Sequence, residues 1–222
     1  MKLTGSFKRA AAVLCTAAVL TCGVSALAVS PAAIPAPAAV SATNSASESQ
    51  LRSVLSKLSV SFDSKANGWQ VDSPYEDASL EKASCGLYPY LFLSKDDPTV
   101  YLSLGMTYFG SQKLDMQSVR VETETATYDF TCDDEYAGLL DKDSGLWFDY
   151  ELFDMDDTPE WFTEWLNAKS VKATFTGKDG TVKSYTLTKE NLQAVRDVLS
   201  AYNTLAESDA ATAISVLSSL CK

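Results

Sequence analysis

The 222 residues contain no histidine. That absence removes Ser-His-Asp and Cys-His nucleophilic machinery, His-liganded zinc and any imidazole pH switch. No C-x-x-C pair occurs, which excludes a thioredoxin-like dithiol and a zinc ribbon. Positive charge is scarce, with 18 Lys and Arg against 29 Asp and Glu. A chain of this balance is unsuited to general nucleic-acid binding, which neutralises phosphates with Lys and Arg, and to electrostatic docking on anionic lipid. A membrane-spanning helix needs about twenty strongly apolar residues, and the only apolar stretch near that length is diluted by Thr16, Thr21, Gly23 and Ser25.

That stretch belongs to a leader. Lys2, Lys8 and Arg9 form a positive n-region, Ala10 to Leu20 is an uncharged, mostly apolar run, and Ala26-Leu27-Ala28 is an A-x-A cleavage site. Together they predict a signal peptide over residues 1–28 and a mature N-terminus at Val29. Cys22 offers a second route, a bacterial lipoprotein lipidated at that thiol, although Thr21 fits poorly just before a lipidated Cys. With three bases in the leader, the mature chain keeps 15 against 29 acids, a net charge of −14.

Residues 29–46 hold three Pro, seven Ala and no charge. Such a stretch cannot bury a core and is expected to be a disordered spacer. Residues 47–222 then remain as one folded domain.

Within it, Leu51, Val54, Leu55 and Leu58 recur at helical spacing and predict a helix over 47–59. Ser73-Pro74-Tyr75-Glu76 combines a cap, a first-turn Pro and a capping-box Glu, predicting a helix from Pro74 to Ser84. The period then changes to two. Strands are expected at 88–94, at 100–108 with Val100, Leu102, Leu104, Met106 and Tyr108 on one half-buried face, around Val119 and Val121, at 126–132, and at 146–153. Asp157, Thr158 and Pro159 start a helix carrying Trp161, Phe162, Trp165 and Leu166. A hairpin follows over 171–187. A three-residue loop, Lys178-Asp179-Gly180, pairs Phe175 with Lys183, Ala173 with Tyr185 and Val171 with Leu187, which gathers the large apolar groups on one face and needs a left-handed Gly180. Thr188 caps the next helix, and Ser208 is the expected cap of a last one over 210–220. The order lacks regular strand–helix alternation, so the expected class is α+β: an antiparallel sheet, meander plus C-terminal hairpin, packed against several helices.

Twelve acids and one base lie between Asp133 and Glu164, a local charge of −11. Carboxylate oxygens suit a hard cation such as calcium. Neither EF-hand frame closes, however. From Asp141, Asp143 fits but Gly145 and Leu152 fall at the fifth and twelfth positions; from Asp154, Asp156 fits but Thr158 and Pro159 do not continue the loop. The expectation is a solvated acidic surface with no metal residues. Residues 169–189 carry about +4 through Lys169, Lys172, Lys178, Lys183 and Lys189, lysines that guard an exposed hairpin.

Ser79-Leu80-Glu81-Lys82 matches the S-x-x-K pattern of penicillin-binding proteins and class A β-lactamases, but no S-D-N or K-T-G follows. The Trp161, Phe162, Trp165, Leu166 stripe reads as core rather than ligand platform; Trp69 and Trp147 are the better candidates for exposed aromatics. Of the cysteines beyond the leader, Cys221 sits one residue from the C-terminus. Cys85 and Cys132 are therefore the expected disulfide, in a compartment that permits oxidation.

These readings give an exported, non-enzymatic bacterial domain, secreted or at the cell surface, that binds an unidentified protein or glycan partner. No catalytic residue and no cofactor are assigned. The alternatives are a small hydrolase using carboxylates or the Ser79–Lys82 pair, and a surface protein anchored through Cys22.

Overall fold

The computed structural model describes residues 46–73, 85–133, 137–142 and 144–221. The leader, nearly all of the spacer, the helix expected at Pro74–Ser84 and the Ser79–Lys82 pair lie outside them. Among the described residues, two antiparallel sheets and four helices make a mixed α+β fold.

The first sheet runs β1-β2-β3-β4-β8-β7, with β1 Ser59–Asp63, β2 Gly68–Asp72, β3 Gly86–Ser94, β4 Val100–Gly110, β7 Leu139–Asp141 and β8 Leu146–Asp154. The second runs β10-β9-β5-β6, with β5 Met116–Glu122, β6 Thr127–Thr131, β9 Lys172–Gly177 and β10 Val182–Thr186. The expected meander of 88–94, 100–108, the strand around Val119 and 126–132 is only partly present: β3 pairs with β4 in the first sheet, where β8 rather than β5 lies on the other side of β4, and β5 pairs with β6 in the second sheet together with the C-terminal hairpin. Helices α1 (Glu48–Leu55), α2 (Glu160–Asn167), α3 (Lys189–Ala206) and α4 (Ala210–Leu220) complete the fold. α3 packs on β3 and β4, and α1 and α2 pack on α3.

Sequence explains most of these elements. Ser47 and Gln50 form a capping box on α1, which buries Leu51 and Leu55. Thr188 and Asn191 do the same for α3. α4 is capped by Asp209, not Ser208, with the Asp209 carboxylate accepting the Thr212 N–H at 2.9 Å. In α2 the buried pair is Phe162 and Trp165, and Trp161 packs against Tyr128 and Phe130 of β6.

The hairpin has the expected register: Lys183 opposes Phe175, Tyr185 opposes Ala173, and the Leu187 N–H donates to the Val171 carbonyl at 2.9 Å. Gly180 turns at φ +83°, in the left-handed region, and its N–H donates to the Gly177 carbonyl at 3.0 Å. Strand β4 departs from the half-buried expectation. Its inward residues are buried as expected, but so are Gly105, Thr107 and Phe109 on the other face, so this central strand is covered on both sides. The inner faces of both sheets and all four helices contribute to one apolar cluster.

Candidate functional site

The acidic segment divides into acids turned inward and acids that hold turns at the surface. Asp149 and Glu151 are two residues apart on β8, so they share a face. Asp149 pairs with Tyr108 and Glu151 with Met106, both core-facing residues of β4. Continuing the β3–β4 register by one residue sets Cys85 level with Tyr108, so Cys85, Tyr108 and Asp149 form a row across three strands.

Asp149 is fully buried. It accepts N–H bonds from Gly138 and Met116, while its Oδ2 has no hydrogen-bond partner. Gly138 meets this carboxylate at φ +65°, and a Cβ there would fall 2.1 Å from Asp115 Oδ1. Burial raises the Asp149 pKa above the ordinary carboxyl range; the two N–H bonds oppose the rise, Asp115 adds to it and Lys113 lowers it. Lys113 is itself 2.8 Å from Asp115 and lies over the Trp147 ring at 5.7 Å. Glu151 accepts the Asp133 N–H at 2.8 Å and the Leu152 N–H at 3.1 Å.

The surface acids serve the backbone. Asp141 accepts the Ser144 hydroxyl at 2.5 Å, and its carbonyl accepts the Gly145 N–H at 2.8 Å. Asp154 accepts the Asp156 N–H at 2.9 Å, and Asp156 in turn accepts the Leu102 N–H at 2.6 Å. Glu164 accepts the Tyr128 hydroxyl. The carboxylates of Asp141, Asp154 and Asp156 are thus directed at turn and strand donors; Asp143 lies outside the described residues. Among the described residues no group of three or more Cys, Asp or Glu side chains converges on a point where a metal ion could sit.

Cys85 and Cys132 are free thiols in the structure. Cys85 precedes β3 in the first sheet; Cys132 follows β6 in the second, where its N–H donates to the Gln117 carbonyl at 2.9 Å. Burial pushes both thiols up to about 12, and the carboxylates of Glu151, Asp133 and Asp149 add to the rise at Cys132. Such thiols are poor nucleophiles.

One cleft, of about 180 Å³ and lined by Lys113, Asp115, Ala137 and Lys178, lies beside the Gly138–Asp149 contact; another lies away from the acids. This second cleft, of about 290 Å³ between the turn before β4 and the α3–α4 junction, is walled by Pro98, Val100, Leu205, Ala206 and Ala213 with the hydroxyls of Thr99 and Ser208. Trp69 is buried against Phe62, and the Trp161–Trp165 stripe packs in the core.

The edge of the first sheet is different. β7 is its terminal strand, paired through Leu139 with Phe148, Leu140 with Trp147 and Asp141 with Leu146. Leu139 and Leu140 are 44 % and 48 % exposed. Sequence reading had no signal for this strand, because three residues are too few for a period. No family model, no curated protein and no solved structure matches this chain.

Proposed function

We propose that the chain is an exported, non-enzymatic bacterial domain that binds an extracytoplasmic partner, and that the β7 edge is its binding surface. The supporting observation is the position of Leu139 and Leu140. Two large apolar side chains stand exposed on the terminal strand of a sheet, inside a segment carrying −11. A terminal strand offers unpaired backbone N–H and C=O groups to an added strand, and flanking side chains set its specificity. Asp141 on β7 and the acidic sequence segment that contains it favour an extended partner segment that alternates basic and apolar residues.

The test is a titration of isotope-labelled mature protein with the peptide acetyl-Lys-Val-Lys-Val-Lys-Val-amide, followed by amide chemical shifts. The reading expects shifts centred on Leu139–Asp141 that disappear in a Leu139→Asp/Leu140→Asp variant. Shifts confined to other strands, or undiminished in the variant, overturn it. Export is tested separately by N-terminal sequencing of protein recovered outside the cytoplasm. Val29 is expected first; a lipidated Cys22 or an intact Met1 contradicts it.

One observation favours the hydrolase alternative: the raised pKa of Asp149 beside a second carboxylate, Glu151. Against it stands the full burial of Asp149, on a strand held between β4 and β7. Among the described residues no helix is long and apolar enough to cross a membrane.

A further inference from the structure

The first described residue is anchored next to the 290 Å³ cleft. Ala46 is buried, and its N–H donates to the Glu207 carbonyl at 3.2 Å. Glu207 is the C-cap of α3 and stands between Ala206 and Ser208, both of which line the cleft. Neighbouring Cα atoms are about 3.8 Å apart, so the chain that precedes Ala46 meets the fold at the rim of this cleft. Residues 29–45 of that chain lie outside the described residues.

The cleft suits that segment in size and in chemistry. Its volume lies just under the roughly 300–1,000 Å³ of small-molecule pockets. The residues that line it carry no charge. Val100 and Leu205 supply apolar wall, and the short side chains of Ala206, Ala210 and Ala213 let a second backbone come close. Residues 29–45 are likewise uncharged, in a mature chain of net −14. Pro31, Pro35 and Pro37 favour polyproline geometry, a conformation that settles into a groove with little further loss of freedom. A segment that cannot build a core of its own can still cover apolar surface that the rest of the chain has shaped.

Reach is ample. Val40 stands six positions before Ala46, a span of about 19 Å at about 3.1 Å per residue. The attachment also raises the effective concentration of the segment to the millimolar range. A contact too weak to hold two separate molecules together at micromolar concentration is therefore occupied within one chain.

We infer that the 290 Å³ cleft is the docking groove of the chain's own Pro/Ala-rich segment, with Pro37–Val40 laid between Val100 and the Leu205–Ala213 turn. The docked segment closes the cleft to other ligands and directs the mature N-terminus away from the α3–α4 end of the domain. The contact is separate from the β7 edge and stands or falls without it.

Nuclear Overhauser spectra of the isotope-labelled mature protein test this. Contacts are expected from the Val40 methyls to methyls of Val100, Leu205 or Ala213. Two variants address the two sides. Pro37→Asp/Val40→Asp puts charge on the segment. Ala206→Lys/Ala210→Glu narrows the groove at two exposed positions, with each new charge at the helix end that favours it. Each variant is expected to lose the Val40 contacts, to move the Thr99, Val100 and Ser208 amides alike, and to speed elastase cleavage within residues 29–45. If the groove variant loses the native melting transition, the segment variant carries the test, because it leaves the described fold untouched. Wild-type shifts are expected to survive a roughly tenfold dilution, as an intramolecular contact requires. Val40 contacts that are absent or fall elsewhere, or groove amides indifferent to the segment variant, overturn the inference. Contacts that fade on dilution overturn it too, by assigning the groove to the segment of a second copy.

Discussion

Asp149→Asn isolates the least comfortable group in the molecule. The side chain is fully buried, its Oδ2 has no partner, and burial holds its pKa above that of an unfolded-chain aspartate. Below the unfolded value, both folded and unfolded states carry the proton and the group costs no charge burial. As pH rises past that value, the unfolded chain releases its proton while the folded chain retains it. Stability therefore falls with pH until the raised folded pKa is passed, with a limiting slope of about 1.4 kcal/mol per pH unit. Asparagine keeps an oxygen to accept the Gly138 and Met116 N–H bonds and places an NH₂ where Oδ2 stood. That NH₂ has no acceptor, a cost of about 1–3 kcal/mol, and the protonated wild-type carboxyl faces the same cost. The variant should thus be close to wild type at pH 4 and gain on it steadily as the pH rises toward 8. Urea unfolding of both proteins in parallel across that range measures the difference, and every titration they share cancels. A gap that does not change with pH would refute the assignment of a buried, proton-holding Asp149.

The remaining predictions are narrower. Gly180→Val should cost about 1–2 kcal/mol in thermal unfolding, from backbone strain alone, because φ is +83° and a Cβ there meets nothing within 4 Å; an unchanged melting temperature would count against the turn. Calorimetric titration with calcium should give at most weak, salt-sensitive heats, since the carboxylates of Asp141, Asp154 and Asp156 already accept turn and strand donors; a micromolar stoichiometric site lost with Asp141→Ala would reverse this. The structure holds Cys85 and Cys132 as free thiols; the bridge between them is a proposal from the sequence, worth roughly 4 kcal/mol if unstrained, and mapping of exported protein without reduction decides between it and two reduced thiols. Both thiols recovered free from the oxidising compartment would end that proposal.

Local rules carried the sequence reading furthest. The β9–β10 register followed from alternation plus one obligatory left-handed Gly180, both confined to seventeen consecutive residues. The Thr188 cap and the buried Phe162 and Trp165 followed equally from short-range spacing. Non-local pairing was not legible. Nothing in the sequence tells that the strands expected as one meander divide between two sheets, β3 and β4 in one, β5 and β6 with the hairpin in the other. The β1–β2 hairpin was missed because Ser59–Asp63 is short and largely polar, and the helical run ending at Leu58 masked its start. Ser208 and Asp209 are both good caps, and sequence does not rank neighbours of that kind.

The inward carboxylates were hidden by a different effect. β8 is apolar on both faces, with Leu146, Phe148, Tyr150 and Leu152 alternating against Trp147 and Phe153. Reading its polarity would turn Asp149 and Glu151 toward water, yet the strand lies between β4 and β7 with both of its faces in use. The identity of the binding edge was out of reach for the same reason that pairing was: an edge is defined by the strand that does not come next to it.

Site-specific photo-crosslinking in cells that export the protein tests the account most directly. A crosslinkable residue replaces Leu140 on β7 in one strain and Lys65, exposed in the β1–β2 turn, in another. The account predicts covalent adducts from position 140 and none from position 65; absence of adducts at 140, or equal yields from both positions, would contradict it.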